Sequence, residues 1–82
     1  MLEKDKFQEL SVVEQMTLIM DKGYALLARK SGSVSIKLFE LYGFFVEVKY
    51  HMQIRKIISV QIVNLDDVTD DYLEDIRIEN IF

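Results

Sequence analysis

The chain contains no cysteine, no proline and no tryptophan, only three glycines and a single histidine. Without cysteine there is neither a disulfide framework nor a thiolate metal site to reinforce a small core, so packing, aided by a partner subunit, has to hold the fold. One histidine removes the usual zinc, copper and iron sites from a single chain, and no cofactor is expected. Three scattered glycines do not make the clustered loop that cradles a phosphate. The lack of proline and of low-complexity tracts argues against a linker, so residues 1–82 are expected to form a single domain. No window approaches the roughly 20 apolar residues of a membrane span, and the opening MLEKDKFQEL mixes both charge signs where a signal peptide would be apolar. A cytoplasmic location with no membrane partner is the resulting expectation.

What is present favours folding. Half of the residues are hydrophobic and 29% are charged, which is too apolar a balance for intrinsic disorder. The net charge of −4 is concentrated at the end of the chain, where residues 64–82 carry seven acids and one base. A net-acidic chain repels phosphate backbones. Its mid-chain bases, Lys37, Lys49, Arg55 and Lys56, are too few for a nucleic-acid footprint, so nucleic acid is not an expected partner.

Ser11-Val12-Val13-Glu14 has the pattern of a capping box, which predicts a helix starting at Val12. Val12, Val13, Met16, Ile19, Met20, Leu26 and Leu27 recur at three- and four-residue spacing, which extends that helix to Arg29 or Lys30 with a wide buried face. Gly23 then falls inside the helix, where it costs about 1 kcal/mol relative to alanine. A close backbone approach would compensate for it, and a break at Lys22-Gly23 is the alternative. Ser31-Gly32-Ser33 would end the helix and begin a loop.

Residues 34–41 and 44–51 are rich in β-branched and aromatic side chains and flank Tyr42-Gly43, a two-residue hairpin connection. Alternation in the second strand turns Phe44, Val46, Val48 and Tyr50 towards the helix. Residues 57–63 complete a meander, with Ile58, Val60 and Ile62 on one side. In the tail, Thr69 is the expected N-cap of a two-turn helix through Ile76, and Ile76, Ile78, Ile81 and Phe82 are expected to dock on the body. The fold class is therefore α+β: a long N-terminal helix on a three-stranded antiparallel β-meander, followed by a short C-terminal helix. Ile36, Leu38 and Phe45 gather on the sheet face away from the helix, where the tail or a second subunit must cover them.

Candidate chemistry is sparse. His51 ends a strand with no nucleophile motif around it and reads as a partly exposed surface residue. Glu40 and Glu47 share a sheet face but have no evident cleft between them for paired-carboxylate hydrolysis. Asp66, Asp67, Asp70, Asp71, Glu74 and Asp75 lack the glycine and ligand spacing of a calcium loop and read as a solvated acidic face, although such a run would attract a basic protein. The aromatics clustered on the first hairpin read mainly as core.

The segments LSVVEQ, the mid-helix KG, GFFVEVKY and DDYLEDIRIENIF together resemble a set of small bacterial proteins of unknown function. The resemblance spans most of the chain. It implies that helix, meander and tail form one recurring unit, and it brings no activity or catalytic residue.

The expected function is a non-enzymatic protein-interaction module that self-associates as a homodimer, with Ile36, Leu38, Tyr42 and Phe45 as interface candidates. Two alternatives belong to other classes. One is a binder or inhibitor of a basic protein, acting through the acidic C-terminal segment. The other is a small-molecule binder using a helix–sheet pocket near Tyr50, His51 and Glu47.

Overall fold

Ser11 caps a helix as its sequence predicts: its hydroxyl accepts from the Glu14 amide at 3.2 Å while the Glu14 carboxylate accepts from the Ser11 amide at 3.0 Å. The computed structural model describes residues 2–79, with side chains described as far as Tyr72. Two helices open the chain, α1 (Lys4–Glu9) and α2 (Val12–Lys22), followed by four strands and a last helix. The strands β1 (Tyr24–Ser31), β2 (Val34–Leu41), β3 (Phe44–His51) and β4 (Lys56–Val63) form an antiparallel meander in sequential order, and α3 spans Leu65–Glu79. The fold is thus α+β with one strand more than the sequence suggests.

That extra strand corrects the long helix. α2 stops at Lys22, and Gly23 is its C-cap, with φ −81°, ψ 157° and its N–H donating to the Ile19 carbonyl at 2.8 Å. A β-carbon built on Gly23 would lie 2.6 Å from that carbonyl oxygen, so the glycine permits a close backbone approach at the helix end instead of inside it. Residues 24–30 read as helix because Ala, Leu, Arg and Lys favour it locally, yet together with Ser31 they pair with β2 from Tyr24↔Glu40 to Ser31↔Val34. Tertiary pairing overrides propensity here. Strand β2 buries side chains on both faces, and β1 supplies backbone partners along its outer edge. Gly32-Ser33 is accordingly a hairpin turn, with Gly32 at φ +59°.

The second hairpin forms as expected. Leu41 pairs with Phe44 and Phe39 with Val46, and the turn holds Tyr42 and Gly43 at φ 51° and 84°. Phe44, Val46 and Val48 face the helices, where with Phe7, Ile19 and Leu41 they build one core. The Phe7 and Phe44 rings meet edge to face at 5.6 Å. Strand β4 departs from simple alternation. A bulge opposite Lys49 and Tyr50 sets Ile57 against Tyr50 and Ser59 against Lys49, so Ile57 joins Val60 and Ile62 on the helix side while Ile58 is left half-exposed.

On the opposite face, Ile36, Leu38 and Tyr72 form a second core. The C-terminal helix begins earlier than Thr69. Asn64 caps it by accepting from the Asp66 amide at 3.0 Å, and Thr69 lies within the helix, donating its hydroxyl to the Leu65 carbonyl. Asparagine is at least as good a cap as threonine, and starting there makes Asp66 and Asp67 the acids of the first turn. The expected docking of Ile76, Ile78, Ile81 and Phe82 lies outside the described side chains. Among the described residues, no helix is long and apolar enough to cross a membrane.

Candidate interaction surface

Two regions stand out, one on each face of the sheet. The first is the outer side of α2. Gln15 and Ile19 turn inward, and the Gln15 amide donates to the Phe7 carbonyl at 2.9 Å, which locks α1 beside α2. The core takes up Gln15 and Ile19 fully, with Met16 and Leu18 half-buried beside them, and not the whole apolar face that the periodicity suggests. Val13 and Met20 are therefore 75% exposed and Val12 48% exposed.

Val13 and Met20 are seven residues apart, with Met16 and Thr17 between them, which is the spacing of a helix–helix seam. The Thr17 hydroxyl donates to the Val13 carbonyl at 2.8 Å, so its polar group is satisfied within the helix. Two open depressions border this ridge and share Val13 and Thr17. One, of about 560 Å³, runs past Leu10, Leu18 and Tyr42. The other, of about 610 Å³, runs past Met16, Met20 and Ile57. An apolar ridge with a groove on each side is the shape that another ridge of the same kind can fill.

Tyr42, expected at an interface, lies half-buried at the wall of the first groove. It adopts a positive φ that favours asparagine or glycine, and it holds that conformation because its ring packs against the helix-side core. The other interface candidates lie elsewhere. Ile36 and Leu38 are buried beneath α3, and Phe45 is half-buried at the margin of the same cluster. Of the two covers foreseen for that face, the structure shows the chain's own tail.

The second region is polar and lies under α3. The Tyr72 hydroxyl donates to Glu47 Oε2 at 3.0 Å, and the Arg29 guanidinium stacks 5.3 Å from the Tyr72 ring centroid. Glu47 is only 5% exposed. Burial, then the hydrogen bond and negative charge of Glu47, push the Tyr72 hydroxyl well above its ordinary pKa, against a weaker downward pull from Arg29. Asp71 Oδ2 stands 3.8 Å from Arg29, whose Nε is buried without an acceptor. This cluster of Arg29, Glu47 and Tyr72 is invisible while residues 24–30 are read as helix. The one available signal is Glu47 itself, an acid on the same sheet face as Leu38 and Phe45, which requires a buried partner.

The remaining candidates are dispersed. Asp66, Asp67, Asp70 and Asp71 are exposed along α3, whereas Glu74 and Asp75 have side chains outside the description. His51 braces the β3–β4 turn by accepting from the Ile54 amide at 3.4 Å, and Arg55 in that turn has φ 57°. A depression of about 260 Å³ between α2 and the sheet includes Tyr50, Met16 and Met20, but Glu47 lies on the opposite sheet face. Tyr50 and Glu47 therefore do not converge on one pocket. Compared with protein-family models, curated proteins and solved structures, the chain matches none.

Proposed function

We propose that this protein is a non-enzymatic interaction module that self-associates through the outer face of α2. The observation that carries the reading is the exposed seam of Val13 and Met20, bordered by apolar grooves on both sides. Exposed contiguous apolar surface marks interaction sites more often than chance, and a ridge between grooves is self-complementary under a two-fold axis. An antiparallel pairing of two α2 helices lays Val13 against the partner's Met20 and places Tyr42 at the rim. The paired helices would be roughly 16 Å long at 1.5 Å per residue, so the groove walls have to contribute area for the dimer to be stable.

Sedimentation velocity over a range of concentrations tests this. The wild-type chain is expected to dimerise, and Val13→Asp with Met20→Asp to weaken association at least about thirtyfold, the equivalent of losing about 2 kcal/mol of hot-spot contact. Both side chains point outward, so circular dichroism should be unchanged. A wild-type chain that stays monomeric, or a double variant that associates as tightly as wild type, rules the reading out.

A further inference from the structure

We propose that α3 is a releasable strap, and that the groove it uncovers accepts the α3 segment of a second copy of this chain. The four hydrogen-bonded strands also carry a separate core on the opposite face, formed with α1 and α2, so the sheet keeps one packed side when α3 leaves. Asn64 alone links β4 to α3, so one residue can act as the hinge. Of the described α3 side chains, Tyr72 is the one that is fully buried, while Leu65 and Val68 are half-covered and four aspartates face solvent.

The groove selects its occupant chemically. Glu47 accepts the Tyr72 hydroxyl, Arg29 stacks on the Tyr72 ring and faces Asp71, and Ile36 and Leu38 floor the site. A matching ligand is an acidic helix bearing one tyrosine, and a second copy supplies it by identity. This exchange is separate from the α2 seam and does not depend on it.

Two measurements test the proposal. In native-state hydrogen exchange on the wild-type chain, the α3 amides should open as their own unit, at least ten times faster than those of β2 and β3. Equal protection in α3 and the central strands overturns the strap. In the second, a fluorescent peptide of residues 64–79 is titrated into Tyr72→Ala. It should bind saturably and at least tenfold more tightly than to wild type, and a peptide with alanine in place of Tyr72 should not bind. Equal binding to both chains, or binding that ignores the tyrosine, overturns the exchange. If Tyr72→Ala fails to fold, Tyr72→Phe, which keeps the ring, serves as the receptor with the same expected preference.

Discussion

Gly23 separates two readings of its neighbourhood that differ in the sign of one mutation. Inside a helix, replacing it with alanine would stabilise the chain by about 1 kcal/mol. At the observed C-cap, the new β-carbon would meet the Ile19 carbonyl oxygen at 2.6 Å, a backbone atom that cannot swing aside. Gly23→Ala is therefore expected to cost about 1–3 kcal/mol, the usual range for overpacking. Urea denaturation measures this directly, and a stabilised variant would return residues 24–30 to a helix. The residue is easy to notice in the sequence. Its role depends on which carbonyl the fold brings beside it.

At the scale of elements, the start of α2 is legible in four residues and its end is not. The capping box holds the Glu14 carboxyl below its ordinary value of 4.5, through hydrogen bonds from the Ser11 amide and then its hydroxyl. A depressed carboxylate stabilises the fold above its unfolded pKa and loses that contribution as pH falls through the folded value. Thermal melts between pH 6 and 3 are expected to show a Glu14-dependent loss that Glu14→Gln removes. Ser11→Ala should cost about 1 kcal/mol at neutral pH. An identical acid profile in wild type and Glu14→Gln would mean that the box contributes nothing. The β1 strand was illegible for a different reason: Ala25, Leu26, Leu27 and Ala28 favour a helix locally, and the unpaired edge of β2 outweighs them. Strand β4 shows a smaller version of the same limit, since one bulge exchanges the roles of Ile57 and Ile58.

For the molecule as a whole, the two sheet faces are closed by different means, the inner by two helices and the outer by Tyr72 at the centre of α3. Tyr72→Phe tests how much the polar part of the outer closure contributes. It leaves Glu47 buried without its donor and is expected to cost about 1.5–3 kcal/mol. Because the folded hydroxyl ionises at higher pH than the unfolded one, its contribution is present below about pH 10 and declines above it. Wild-type melting temperature should therefore fall between pH 9.5 and 11 more steeply than that of Tyr72→Phe. Parallel curves would show that the hydroxyl is not held as described.

The sequence by itself determined the α+β class, the cap at Ser11, the Tyr42-Gly43 hairpin with its register, and the inward set Phe44, Val46 and Val48. Each of these rests on neighbours within a few residues or on strict alternation. The tertiary structure decided what depends on contacts between distant segments: that residues 24–31 complete the sheet, that α2 buries Gln15 and Ile19 and leaves Val13 and Met20 exposed, and that Arg29, Glu47 and Tyr72 meet. Arg29 and Tyr72 lie 43 positions apart, and no periodicity within either segment records that the other exists.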